Sequence, residues 1–245
     1  MHRQLAAHQW LLISWGMLLL PPLLLFGADV SLFPWLDLSS TAAQLNYAVT
    51  MTGTRPWGAL TSALVVLLLW RMVPAAQRWP MLAATLLALG LNLLVSHGLK
   101  NLFQESRPYV EYLASHGLLD LSHFYASDAA GRSTLLHGLA LEQLPMPLAD
   151  SVWQQWRFET GYSFPSGHTL FSCTLALCGC FVLLPLQRWG LALLLLGWAM
   201  WVSISRILLG MHWPVDVLVS ALLSGVIVWC SHALMQRLWV RKPTL

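Results

Sequence analysis

Charged residues are scarce. Asp, Glu, Lys and Arg make up 9% of the 245 residues, against about 25% in an average soluble domain. So few charges cannot cover the surface of a soluble globule. Disorder, which needs low hydrophobicity and high net charge, is excluded as well. Thirteen Lys and Arg stand against ten Asp and Glu, giving a net charge of +3, too small for a nucleic-acid footprint. Cysteine is also rare: Cys173, Cys178, Cys180 and Cys230 all fall in apolar runs. Cys178-Gly-Cys180 has neither zinc nor redox spacing, so these residues are expected to be small apolar side chains without a disulfide. There is no fixed-period repeat and no low-complexity tract. What is abundant is apolar: 57% of the chain, with a mean hydropathy of +0.63. The composition predicts an all-α integral membrane protein in which residues 1–245 form a single domain.

A helical span needs about 20 mostly apolar residues. Six stretches qualify: 8–27, 54–74, 79–99, 168–187, 189–207 and 215–236. The first resembles a secretory leader, but Phe26 at the −3 position of any cleavage at Ala28 argues for an uncleaved span. With the N-terminus inside, Arg3, Arg71, Arg78, Arg188, Arg237, Arg241 and Lys242 fall on the inner side. Arg55, Lys100, Arg107, Arg132, Arg157 and Arg206 fall outside. Three of the outer six belong to the motifs below, and without them the distribution follows the positive-inside rule. Residues 100–167 form the only large hydrophilic segment, with helix-compatible patterns over 109–119 and 150–158. They are expected to build a small helical cap on the outer face.

Three motifs lie at the outer boundary of the spans. The first is Lys100-x6-Arg107-Pro108. On a continuous helix stopped by Pro108, residues seven apart share a face about 10 Å apart along the axis, and two cations there can grip an anion. Glu105 is the expected structural partner of Arg107. The second is Pro165-Ser166-Gly167-His168 at the entry to the fourth span. A helix N-terminus attracts anions, Ser166 can cap the helix or donate to a ligand, and Gly167 permits close backbone approach. The third is Ser205-Arg206-x5-His212-x3-Asp216. Pro214 suits the first helical position, and Asp216 can reach back to the His212 ring as a base–orienter pair. Arg206, ionisable at the end of an apolar span, points to function. His168, His212 and Asp216 would also serve as zinc ligands, but three nearby cations would repel a divalent metal.

Together these motifs resemble the signature of the type-2 phosphatidic acid phosphatase superfamily, in order and spacing. The stretches 159–169 and 205–216 are most similar to its phosphatidylglycerophosphatase B branch. The resemblance implies a metal-independent lipid phosphatase without a cofactor. Lys100, Arg107, Ser166, Gly167 and Arg206 would bind phosphate. His212 would form a phosphohistidine, oriented by Asp216, and His168 would protonate the leaving oxygen. The implied substrates are lipid phosphates in the bilayer: phosphatidylglycerophosphate, undecaprenyl diphosphate or phosphatidic acid. The implied setting is a bacterial inner membrane, with cytoplasmic termini and the site on the outer face. A phosphotransferase, a lipid A-modifying enzyme and a lipid-phosphate-binding or transport protein are the alternatives.

Overall fold

The computed structural model describes residues 6–240. Arg3, Arg241 and Lys242, used in the charge distribution above, lie outside that range. Among the described residues all regular structure is helical: α1 (Ala7–Gly27), α2 (Thr41–Met51), α3 (Trp57–Met72), α4 (Ala75–Phe103), α5 (Pro108–Ser115), α6 (Leu121–Ala126), α7 (Ala129–His137), α8 (Asp150–Phe158), α9 (Gly167–Leu183), α10 (Trp189–Leu208) and α11 (Pro214–Val240).

Six of these helices coincide with the six apolar stretches. Four of them, α1, α4, α10 and α11, are long and apolar enough to cross a membrane, while α3 and α9 are shorter apolar helices. Helix α9 is apolar or small on every side, the pattern of a buried helix. It forms the centre, against which α1, α3, α4, α10 and α11 pack. Ala176, Cys178, Gly179 and Cys180 let neighbours approach closely. At Gly179 the space a Cβ would need is filled by Leu195 of α10. The outward faces stay apolar, with Leu93, Leu94, Leu194 and Trp229 exposed, as suits a hydrocarbon solvent rather than water. Edge-to-face pairs Trp10–Trp189 and Trp70–Trp79 sit at helix ends.

A second cluster packs apart from this core. It draws Phe33 and Leu38 from the α1–α2 connection, Ala43 from α2, side chains of α5 to α8, and Leu209 and Met211 after α10. Trp156 of α8 stacks on Tyr109 of α5 at 4.7 Å. The Trp156 indole N–H donates to Leu209 O at 2.9 Å, and Tyr109 Oη donates to Trp156 O at 3.0 Å. Aromatic rings with a polar handle need such partners when buried.

One expectation is corrected. Lys100 and Arg107 do not share a continuous helix. Helix α4 ends at Phe103, with Gln104 left-handed (φ +50°) at its cap. Pro108 begins α5 instead of stopping α4, and Arg107 before it is extended (φ −84°, ψ 146°). The reason is steric: a residue preceding proline is pushed out of the α region, and proline at the first helical position loses no hydrogen bond.

Candidate active site

The turn from α10 to α11 is built by local chemistry. Gly210 is left-handed (φ +70°), and its N–H bonds Ile207 O at 3.0 Å. Met211 N–H bonds Arg206 O at 3.0 Å. This is a Schellman closure with an apolar residue after the glycine. The Phe33 ring lies where a Cβ on Gly210 would sit, at 2.7 Å. The turn delivers His212, which is 2% exposed. Pro214 then opens α11, and Asp216 Oδ2 accepts from Trp213 N–H at 3.0 Å, half of a capping box. The same oxygen lies 3.4 Å from His212 Nδ1. Asp216 is thus both the helix-start anion and the neighbour of the histidine.

At the start of α9, Ser166 is the cap. Its Oγ accepts from Thr169 N at 3.4 Å and Thr169 Oγ1 at 3.0 Å. Its own N–H donates to Ser220 Oγ of α11 at 2.8 Å, tying the two helix starts together. His168 follows, with Nε2 2.8 Å from Thr54 Oγ1.

The cations converge on the segment between α8 and α9. Lys100 Nζ donates to Tyr162 O at 2.6 Å and to Ser163 O at 3.3 Å. Arg107 donates from Nε to Gly161 O at 2.6 Å and from a terminal nitrogen to Met211 O at 3.0 Å. Arg206, fully buried, donates to Thr50 Oγ1 at 3.1 Å and to Glu159 Oε2 at 2.5 Å. The Glu159 carboxylate also lies 3.8 Å from Arg107 and 4.0 Å from His168. Burial alone would raise the pKa of Glu159, but Arg206, then His168 and Arg107, hold it well below the usual carboxylate range. Burial, then Arg107 and Arg206, push His212 well below the ordinary histidine value of 6.5.

A cavity of about 470 Å³ opens onto this cluster between α3, α4 and α9. Lys100, Arg107, Gly167, His168 and His212 line it, whereas Arg206, Ser166 and Asp216 stand behind them. Its far wall is apolar, with Leu89, Leu93 and Phe171. Sequence reasoning missed Glu159, Thr50 and Thr54. It also gave Arg107 the wrong acid: Glu105 is exposed, and the carboxylate beside Arg107 is that of Glu159. Glu159 carried a signal, as the acid opening the stretch that ends with His168 and Thr169. Thr50 carried none, because nothing in the chain marks α2 as a helix, and Thr54, between α2 and α3, stands outside all three motifs.

Residues 81–239 match the PAP2 superfamily. The chain belongs to that superfamily. It is 36% identical over 195 residues to phosphatidylglycerophosphatase B of Escherichia coli (strain K12), covering 78% of this chain and 75% of that one. It is 33% identical over 192 residues to the Haemophilus influenzae protein of the same name, covering 74% and 77%. A shorter match, 40% over 72 residues, is to an undecaprenyl-diphosphatase of Sulfolobus acidocaldarius, covering 29% and 33%. The matched region holds all three motifs of this PAP2 chain, from Lys100 to Asp216.

Proposed function

We propose that the chain is a membrane lipid phosphatase, hydrolysing lipid phosphate monoesters or diphosphates without a metal. One observation carries the reading: the Glu159 carboxylate is already gripped by Arg206 and flanked by Arg107 and His168, so the cradle is organised around an oxyanion. Phosphoryl transfer asks mainly for positioning and charge stabilisation. Lys100, Arg107 and the Gly167 N–H line the cavity and would hold the phosphate oxygens, with Arg206 behind. Ser166 supports this cradle by fixing the start of α9.

With His212 Nδ1 facing Asp216, Nε2 is the nitrogen left to attack phosphorus. Its lowered proton affinity keeps it neutral and nucleophilic. His168 gives its proton to the leaving oxygen as the P–O bond breaks, then takes one from the water that releases phosphate. The reading assigns no metal, because Lys100, Arg107 and Arg206 beside the two histidines would repel a divalent ion.

All six apolar helices cross the bilayer in this reading, and tilt lets the shorter α3 and α9 span. Both termini lie in the cytoplasm of a bacterium, α5 to α8 cap the outer face, and the lipid enters sideways through the apolar part of the cavity. The test is phosphate release by purified protein in detergent and EDTA. Phosphatidylglycerophosphate, undecaprenyl diphosphate and phosphatidic acid are offered in parallel. His212→Ala is expected to lower turnover by about 10³-fold or more. Release that disappears in EDTA and returns with zinc or magnesium sinks the mechanism. Release from none of the three lipids sinks the function.

A further inference from the structure

Among the described residues, one cation of the cavity wall is not used by the chemistry above. Arg55 lines the cavity, is exposed, and makes no hydrogen bond, ion pair or ring contact with any described residue. The other two cations facing the same space are engaged. Lys100 is fixed by two carbonyls, and Arg107 by two carbonyls with Glu159 beside it. A guanidinium offers five donors in a planar fork suited to phosphate oxygens, and here all are free.

Its position says which part of a substrate it meets. Thr54, the preceding residue, bonds the His168 ring. Gly53 packs on the same ring, and an added Cβ there would meet His168 Cδ2 at 3.1 Å. The segment 53–55 therefore lies on the His168 side of the site. When His212 Nε2 bonds to phosphorus, the opposite P–O bond breaks and the leaving oxygen takes the proton of His168. A group attached to that oxygen lies on the side where Arg55 waits. Lys100, Arg107 and Arg206 already surround the phosphate that is transferred. Among the described residues of the cavity wall, a second phosphate finds no other unengaged cation.

We propose that Arg55 binds a second phosphate, carried on the leaving group, and so selects lipids with two phosphate groups over those with one. The inference rests on the phosphatase reading above. Leaving groups of this class include a lipid monophosphate released from a diphosphate, and a glycerol that bears a phosphodiester.

The test uses a matched pair differing by one phosphate, farnesyl diphosphate and farnesyl phosphate, with full-length protein in detergent. Arg55→Ala is expected to raise KM for the diphosphate about tenfold. Its kcat, and KM for the monophosphate, should stay within about twofold. Arg55→Lys, which keeps the charge and loses the fork, should fall between. Equal KM changes for both compounds would make Arg55 a general surface anchor and overturn the proposal, as would no change for either. Loss of kcat on both would place Arg55 in the common machinery and would overturn it too. If wild-type protein releases phosphate from neither compound, nor from the three lipids above, the phosphatase reading fails and this inference with it.

Discussion

The two packed clusters of this protein are made of different material. The core around α9 is aliphatic and small, with Leu175, Ala176, Leu177, Cys178 and Cys180 all buried. The cluster of α5 to α8 is built on rings, with Tyr109, Phe124, Trp153 and Trp156. Hydrocarbon satisfies nothing polar, so the first region keeps its backbone hydrogen bonds inside helices. The second is made of helices of six to nine residues, too short to be stable alone, and is stitched together through Tyr and Trp polar atoms. The site lies on the seam. Lys100, His168, Arg206 and Asp216 come from the first region's helix ends, and Arg107 and Glu159 from the second. Each region thus supplies what the other lacks: rigid anchoring from the helices, and a mouldable polar wall from the short elements.

The sharpest way to break this division is Trp156→Ala, which removes the ring that stacks on Tyr109 and holds the α10–α11 turn. A buried Trp→Ala change costs about 3–5 kcal/mol. Hydrogen exchange should show protection lost over 108–158 and retained in α9 and α10. Loss of protection in all helices together would mean that the two clusters are one cooperative unit. Glu159→Gln comes next. It strands the Arg206 charge, and breaking a buried pair costs about 3–5 kcal/mol, less here because Glu159 is 15% exposed. Added inorganic phosphate should raise the thermal midpoint of this variant more than that of the wild type, since the anion replaces the lost carboxylate. Equal shifts would show that phosphate binds elsewhere. Gly210→Ala should cost about 1–3 kcal/mol, from the left-handed backbone and the clash with Phe33, read as a lower denaturation midpoint. An unchanged midpoint would mean that the turn rearranges freely. The smallest effect is on pH. In the mechanism proposed above, neutral His212 is the reactive form and is lost as pH falls through its pKa. That pKa is lowered, so the acid limb of kcat/KM should lie below pH 6.5. A limb centred at or above 6.5 would contradict the burial of His212 among cations.

Much of this arrangement was legible in the chain. Each of the six apolar stretches is a helix whose ends fall within about four residues of the expected ones, because a long uninterrupted apolar run has few other folds. The pattern over 150–158 became α8. Helix α2 was not legible: it is short and weakly apolar, and it is held by packing against α10 and α8. The break between Lys100 and Arg107 was misjudged because Pro108 suits the start of a helix as well as its end. Glu105 was the obvious partner for Arg107 by proximity in sequence, but the chain doubles back and puts Glu159, 52 positions on, beside it instead.

What the sequence by itself determined is therefore the membrane setting, the position of the apolar helices, and the three motifs that place the chain in the PAP2 superfamily. Each depends on residues near one another in the chain. The tertiary structure decided which groups face each other: Glu159 against Arg206, Thr54 against His168, and Ser166 against Ser220. It also left Arg55 facing the cavity while Lys100 and Arg107, the other cations among its described lining residues, are engaged. Those pairings join residues from 47 to 114 positions apart. The choice among the possible partners is made by helix packing and by the need to satisfy every buried charge.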